Sequence, residues 1–275
     1  MADTMTDGAQ VEQAGNAAPA RWYDADWLRA WHEARSIVAR VCPGRLDEFV
    51  HAFDVLRTPA DFRPLRLPGL FGAEELAALR RSIRGIPQAA FEMHEAATFG
   101  RFVVHDHPEM TALQRTFVDR VGEWVGEPVE ISYNFLSFYT RMGVCRPHID
   151  APSAKWTLDI CIDQSDVWPI HFSKVVPWPD PHAPRAADWA DAIKRDPALD
   201  FQTALLSPGD AVLFGGSSAW HYRDPLPGGD RRQFCDLLFM HFVPVGTVPL
   251  LRAGDWPELF GIPELQDVPG LDTAY

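Results

Sequence analysis

The chain has 275 residues, which suits one large domain, and 47% of them are hydrophobic, so it can bury a sizeable core. A formal net charge of −13 without any Lys/Arg run argues against a phosphate backbone as partner, so we expect no nucleic acid. No apolar run approaches the roughly 20 residues of a membrane span, and the four cysteines lack C-x-x-C spacing, so we expect a cytoplasmic protein with reduced thiols and no membrane partner.

The first quarter of the chain is predicted to be helical after a disordered start. Residues 1–20 are small and polar without a period, which is typical of disorder. Apolar residues recur near helical spacing between Trp27 and Val38, and a second short amphipathic pattern covers residues 46–56. Together these patterns predict a helical cover over residues 21–62.

The core is predicted to begin near Arg63. A short strand and a Pro-Gly turn come first, and the spacing of the leucines and isoleucines that follow predicts a helix from about residue 73 to residue 83. A further helix is expected from Met110 to Val125, before the Gly-Glu-Pro break.

From Val129 the hydrophobic period changes to that of strands. The stretches with this character are VEISYNFLSFYTR, WTLDICID, WPIHFSK, ALLSPGDAVLF and RRQFCDLLFMHFVP. Many strands without alternating helices predict an α+β protein with an antiparallel jelly-roll core over residues 63–245 and flanking N-terminal helices. Residues 176–200 form a Pro/Trp-rich insertion, read equally as a lid or as a surface excursion. Residues 246–275 are a tail without a strong period.

One stretch, YTRMGVCRPHID, carries metal-binding chemistry. On an extended chain His148 and Asp150 lie on the same face, which provides an imidazole nitrogen and a carboxylate oxygen. His221, on a later strand after the SPGD turn, is the candidate third ligand. Two histidines and one carboxylate on one side of a divalent ion leave the other side open and favour non-haem Fe(II).

These motifs resemble the Fe(II)- and 2-oxoglutarate-dependent dioxygenases, specifically their prolyl-4-hydroxylase-like branch. YTRMGVCRPHID is similar to the Tyr-x-x-x-Gly…Pro-His-x-Asp stretch of that branch, LPGLFGAEELAAL to its opening strand and helix, and SPGDAVLF to the turn before its distal histidine. The resemblance implies that His148, Asp150 and His221 are both the iron ligands and the catalytic centre. It also implies 2-oxoglutarate and O2 as cosubstrates.

The resemblance further implies which residues bind the cosubstrate. Arg231 would pair bidentately with the distal carboxylate of 2-oxoglutarate, and the Tyr139 hydroxyl would donate to the same carboxylate. Arg232 is adjacent, and only one of the two arginines can point inward from a strand; we favour Arg231. The carboxylate of Asp150 argues against halogenation, because related halogenases carry a small residue there.

The predicted function is therefore oxidation of a C–H bond. We expect hydroxylation of a small-molecule, amino-acid or peptidyl substrate, with 2-oxoglutarate decarboxylated to succinate and CO2. Desaturation or cyclisation by the same centre is the first alternative. A non-catalytic, cupin-like metal-binding jelly roll is the second.

Other polar residues are weaker candidates for the pocket. His171 is assigned a substrate-side role as an alternative to a structural one, and Arg223 is expected to pair with an acid nearby. Asn134 and Ser137, polar within a strand, are considered for the cavity wall. The His105-Asp106-His107 cluster is interpreted as a polar loop.

Overall fold

Two antiparallel sheets face each other, built from strands between residues 65 and 244. The structure, a computed structural model, describes residues 25–182, 186–227 and 232–268, so the disorder predicted for residues 1–20 lies outside the described residues. The strands are β1 Leu65–Leu67, β2 Arg101–His105, β3 Val129–Tyr139, β4 Cys145–His148, β5 Trp156–Gln164, β6 Ile170–Val175, β7 Gln202–Ala204, β8 Ala211–Phe214, β9 Ala219–Arg223 and β10 Cys235–Pro244.

The strand order is that of a jelly roll. One sheet has the order β1-β8-β5-β10-β3-β2 and the other has the order β4-β9-β6-β7. Every recorded pairing is antiparallel. The predicted jelly-roll core with flanking helices is confirmed.

Along the chain, helices precede the strands, lie between them and follow them. They are α1 Ala25–Val41, α2 Leu46–Ala52, α3 Ala73–Arg84, α4 Pro108–Arg115, α5 Val118–Val125, α6 Trp189–Arg195, α7 Val248–Leu251 and α8 Trp256–Phe260. The helix predicted near residues 73–83 is confirmed, and it begins where the Glu75 carboxylate accepts a hydrogen bond from the Gly72 amide at 2.8 Å.

The helix predicted from Met110 to Val125 is wrong as a single element. It is divided into α4 and α5 at Thr116 and Phe117. The Thr116 hydroxyl donates to the Leu113 carbonyl at 2.7 Å, and such a local bond competes with helix continuation. The break lets Phe117 bury its ring in the core, where it is only 4% exposed.

The central strand β5 is buried on both faces, which explains its lack of clean alternation. Trp156, Leu158 and Ile160 belong to the apolar cluster that also includes residues of α3 and α5. The alternate residues therefore face the four-stranded sheet, and among these is Asp159, which is fully buried. A charged residue at this point between the sheets needs a partner.

A second apolar cluster joins the N-terminal helices to the C-terminal segment. Trp256 is completely buried there, and its ring centroid lies 5.8 Å from that of Trp27 and 5.3 Å from that of Phe53. The tail had no strong period because its helices are only four or five residues long. Its structural contribution comes from buried side chains, which a periodicity search does not detect.

We expect Trp256→Ala to lower the free energy of unfolding by about 3–5 kcal/mol, the usual cost of removing a buried aromatic side chain. Urea denaturation would measure the loss. Leu259→Ala is the matched control on α8, because Leu259 is 45% exposed and its truncation should cost less than about 1 kcal/mol. Equal losses in the two variants would contradict a packing role for the C-terminal segment.

The described part of the insertion at residues 176–200 lies against the outer side of the four-stranded sheet and against α1. The Trp178 ring packs 5.2 Å from the Trp27 ring, and Lys194 pairs with Asp224 at 2.6 Å. The Lys194 ammonium also lies 4.6 Å from the ring centroid of Tyr222. Whether the insertion acts as a lid or is a surface excursion stays a prediction. Within the described ranges, no helix combines the length and the apolarity needed to cross a membrane.

Candidate metal centre

The sheet register brings together three side chains that are far apart in the sequence. His148 on β4 lies directly opposite His221 on β9. Asp150 follows β4 by two residues, and its amide donates to the Gly216 carbonyl at 3.0 Å. The backbone therefore fixes all three residues at one end of the four-stranded sheet.

The three side chains converge on one point. His148 Nε2 lies 3.4 Å from Asp150 Oδ1, and His221 Nε2 lies 3.6 Å from Asp150 Oδ2. One potential ligand atom from each residue lies within 4.8 Å of the other two, and all three side chains are at most 10% exposed. An octahedral ion with bonds of about 2.1 Å places adjacent ligand atoms about 3 Å apart, so the spacing fits a divalent ion.

Backbone carbonyls orient both imidazoles. His148 Nδ1 lies 2.8 Å from the Arg146 carbonyl oxygen, and His221 Nδ1 lies 3.0 Å from the Ala219 carbonyl oxygen. A carbonyl only accepts, so each Nδ1 must carry the proton and donate it. Each Nε2 is then left with its lone pair directed at the common point, which is the arrangement found in metal-binding histidines.

The electrostatics favour the protonation states that a metal needs at Asp150 and His221, but not at His148. Burial would raise the pKa of the Asp150 carboxyl, but His221 and His148 outweigh it and hold that pKa well below its usual range. Burial, with the nearby His148, lowers the pKa of His221 to about 4. A carboxylate and a neutral imidazole are the forms that bind a divalent ion. Burial lowers the pKa of His148, but Cys145 and Asp150 outweigh it and raise that pKa well above its usual value, so a metal ion must displace a proton there.

Gly216 leaves the space that Asp150 occupies. A Cβ atom at residue 216 would lie 2.5 Å from Asp150 Oδ2, 2.5 Å from Thr157 Oγ1 and 2.7 Å from the Ala154 carbonyl oxygen. No side chain fits there unless the ligand carboxylate moves. This glycine was not recognised from the sequence, because its close contacts arise only where β5, Asp150 and the turn at residues 215–218 meet in the fold.

A row of flat rings lines the opposite sheet at the same level. The Tyr133 and His241 rings are stacked with centroids 4.1 Å apart, and Phe135 stacks on Phe239 at 4.8 Å. Tyr133 and Phe135 are partly exposed although they share the inward face of their strand, so the space between the sheets is open here.

His241 belongs to this wall and was missed by the sequence analysis. Its Nδ1 lies 3.0 Å from the Thr157 hydroxyl, and burial lowers its pKa to about 4. Among the described residues, its buried Nε2 has no hydrogen-bond partner. A signal was present in the sequence, since histidine is an unusual residue within the apolar run LLFMHFVP.

Behind the three ligand candidates lies a buried polar group that includes Tyr139. The Tyr139 hydroxyl accepts a hydrogen bond from Arg101 Nη1 at 2.8 Å. Arg223 pairs with Asp159 at 2.6 Å, as expected for an arginine with an acid nearby. Cys145 connects this group to the ligands, because its sulfur lies 3.7 Å from His148 Nδ1.

Of the two predicted arginines, Arg232 is the one that the described residues include, and it is not part of this group. Arg231 lies outside the described residues. Arg232 is exposed and lines a surface depression together with Phe102 and Phe138, which face away from the space between the sheets. The assignment of either arginine to the cosubstrate stays a prediction.

The weaker candidates divide between the two faces of the sheets. His171 stacks on Tyr222 at 4.6 Å, on the outer face of the four-stranded sheet, because its neighbour Phe172 is the residue that lies inside. Ser137 shares the inward face with Tyr139, but Asn134 does not. The Asn134 side-chain amide instead donates to the Thr111 hydroxyl at 2.9 Å, under α4. Residues three apart on a strand point to opposite faces.

Among the described residues, His148, Asp150 and His221 form the group of side chains whose spacing suits a metal ion. His105 instead lies 2.9 Å from a Glu92 carboxylate oxygen, and the Asp106 carboxylate accepts a hydrogen bond from the Asn134 backbone amide. The contacts of the His105–His107 cluster are polar, but its interpretation as a loop is wrong for His105, which is the last residue of β2.

Comparisons with known proteins identify the fold. No family model and no curated protein matches the sequence. HygX from Streptomyces hygroscopicus, solved with nickel and 2-oxoglutarate bound, is similar in structure with a TM-score of 0.51 at 13% identity, over 72% of this chain and 86% of that one. SnoK, a non-haem α-ketoglutarate-dependent carbocyclase from nogalamycin biosynthesis, also has a TM-score of 0.51 at 13% identity, over 69% and 85%. The chain shares their fold. Neither is described as a prolyl 4-hydroxylase, so that branch stays a prediction.

Proposed function

We propose that this protein is an Fe(II)- and 2-oxoglutarate-dependent oxygenase that hydroxylates a C–H bond. The observation that carries the proposal is the convergence of His148, Asp150 and His221, with both Nε2 atoms turned to one point by carbonyl-bound Nδ1 atoms. HygX, of similar fold, is described with 2-oxoglutarate and a divalent metal. We propose a small-molecule, amino-acid or peptidyl substrate and a cytoplasmic location.

In this proposal His148, Asp150 and His221 hold the ferrous ion on one face. When bound, the ion supplies the centre at which O2 is reduced with electrons from the 2-oxo acid and the substrate. One oxygen atom enters succinate as CO2 leaves, and the other enters the substrate as a hydroxyl group. The balance requires one 2-oxoglutarate for each substrate oxidised.

The residues around the ligands bind and orient. The Tyr139 hydroxyl, 2% exposed, donates to the distal carboxylate of 2-oxoglutarate, and a guanidinium provides the opposite charge. Arg231 remains the guanidinium that the sequence predicts. The ring wall of Tyr133, Phe135 and His241 faces the substrate, excludes water from it and positions it beside the ion.

The proposal is tested without knowledge of the substrate. Anaerobic protein that receives Fe(II) and then 2-oxoglutarate should develop a weak visible absorption band, and air should then release succinate slowly. His148→Ala should lose both signals while its far-UV circular dichroism stays native. Unchanged absorption of the wild-type protein after both additions would contradict the proposal.

Ring formation is the second candidate for the same centre, because SnoK is described as a carbocyclase. The first step, removal of hydrogen from a substrate carbon, is common to both outcomes. Desaturation is a third outcome of that step. With a substrate identified, mass spectrometry distinguishes them: hydroxylation adds 16 mass units, whereas cyclisation or desaturation removes about 2.

A metal-binding jelly roll without turnover is the remaining alternative. It accounts for the three ligands, but not for a buried tyrosine and a buried arginine, Tyr139 and Arg101, set behind them. Release of succinate in air would exclude it.

A further inference from the structure

Arg101 is a buried cation that the sequence analysis did not consider. It is the first residue of β2 and pairs in register with Tyr139 on β3, so both side chains point into the space between the sheets. Its side chain is 7% exposed. We propose that Arg101, together with the Tyr139 hydroxyl, binds the distal carboxylate of the 2-oxo acid cosubstrate, an inference that rests on the proposed function.

The position of the guanidinium supports this role. Its Nη1 donates to the Tyr139 hydroxyl at 2.8 Å and lies 3.4 Å from Ser137 Oγ, which are two groups of the same strand face. The carbon at its centre lies between 4.9 and 5.3 Å from the ring centroids of Phe99, Phe135 and Tyr139. Ring faces on several sides keep water away from the cation, so a carboxylate placed there would be held strongly.

Arg101 also lies on the metal side of the fold. The carbon at the centre of its guanidinium lies 5.2 Å from the Phe135 ring centroid, and the Phe135 and His241 rings are stacked 5.6 Å apart in the ring wall. A molecule with an oxo acid group at the ligand triad would therefore extend along this wall to reach Tyr139 and Arg101. A dicarboxylate is the ligand that this arrangement of ion and distant cation fits.

The alternative buried cation, Arg223, is already neutralised. Its Nη2 lies 2.6 Å from Asp159 Oδ2, and its Nη1 donates to the Trp168 carbonyl at 2.5 Å. Asp159 is in the middle of a central strand and is completely buried, so it cannot withdraw. Arg223 therefore braces the sheets.

The acid that pairs with Arg101 is also buried, but it lies in a loop. Glu95 accepts from Arg101 Nε, and it belongs to the turns between residues 91 and 100 and not to a strand. An Arg guanidinium carries five N–H donors, and the bonds to Glu95, Tyr139 and Ser137 engage two of its three nitrogens. A second carboxylate can share such a group, because the fork presents donors along more than one edge.

Cosubstrate binding to the Fe(II) protein without oxygen tests the inference. The visible band is titrated with 2-oxoglutarate and with pyruvate, a 2-oxo acid that has no distal carboxylate. Arg101→Gln should weaken 2-oxoglutarate binding at least about 30-fold and leave pyruvate binding unchanged, so the preference for the dicarboxylate is lost. Arg101→Lys should restore part of that preference.

Glu95→Gln separates a binding role from a structural one. If Arg101 binds the cosubstrate, removing its internal acid should keep or tighten 2-oxoglutarate binding. If the pair is only structural, Glu95→Gln and Arg101→Gln should weaken binding alike, and the inference is overturned. The double variant Glu95→Gln, Arg101→Gln has neither charge of the pair, so it should fold even if Arg101→Gln alone does not. Its binding of 2-oxoglutarate should be weak, as in Arg101→Gln.

The remaining variants identify which arginine binds the distal carboxylate. Arg141→Gln, on the exposed turn after β3, is the control and should bind like the wild-type protein. A loss of 2-oxoglutarate binding in Arg231→Gln or Arg232→Gln, with none in Arg101→Gln, would overturn the inference in favour of the sequence prediction. If the wild-type protein binds neither oxo acid, the proposed function itself fails.

Discussion

Gly216→Ala should strongly weaken metal binding in a protein that still folds. The new methyl group would lie 2.5 Å from Asp150 Oδ2 and 2.5 Å from Thr157 Oγ1, well inside van der Waals contact. Of these two side chains, Asp150 projects into the open space between the sheets and can move, so the carboxylate should leave the point that both Nε2 atoms face. Affinity for Fe(II) should fall by about 100-fold, the upper end of the range for loss of a contact that supports a metal ligand.

Anaerobic metal titration measures this effect, and thermal unfolding followed by circular dichroism measures the accompanying strain, expected at about 1–3 kcal/mol. Gly44→Ala is the matched control, because a Cβ atom at residue 44 meets nothing within 4 Å. Wild-type metal affinity in Gly216→Ala would show that Asp150 is not held in place by the close approach of residue 216.

The convergence of His148, Asp150 and His221 was predictable because strand geometry is local. His148 and Asp150 are two residues apart, and an extended chain places such residues on one face whatever the rest of the fold does. The choice of His221 required more: a jelly-roll topology that returns β9 beside β4. That topology followed from the change of period at Val129 and the SPGD turn, so the sequence contained enough to bring the three residues together.

The cation behind the ligands was not predictable in the same way. Arg101 acquires its environment from Tyr139, 38 residues later, through pairing of β2 with β3. β2 is only five residues long, and its VVH end was interpreted as part of a polar loop. Spacing from the distal histidine instead led to Arg231 and Arg232, because a spacing rule carries no information about which strands are adjacent.

The helices were predictable in part. Long amphipathic patterns gave α1 and α3, because each presents several apolar residues at helical spacing. Helices of four or five residues, such as α7 and α8, are too short to show a period at all. Their place in the fold depends on single aromatic residues, of which Trp256 is the largest, meeting partners about 200 residues away.

A large loss of stability is also expected at the buried ion pair between the sheets. Asp159→Ala should lower the free energy of unfolding by about 3–5 kcal/mol, because it leaves the Arg223 guanidinium buried without its counter-charge. Burial raises the pKa of Asp159, and Arg223, 2.6 Å away, opposes that rise, so the pair holds charge where an isolated acid would not. Urea denaturation measures the loss. Asp163→Ala is the control on the same strand, since its pair with Arg80 is partly exposed and should contribute less than about 1 kcal/mol.

The double variant Asp159→Leu, Arg223→Met tests why the pair is costly to break. Two apolar side chains of similar volume leave no unpaired charge, so most of the lost stability should return. Tyr139 and Arg101 keep their own contacts in this variant. Cosubstrate binding should therefore survive it if Arg223 only braces the sheets, whereas loss of 2-oxoglutarate binding in a stable double variant would move the carboxylate receptor from Arg101 to Arg223.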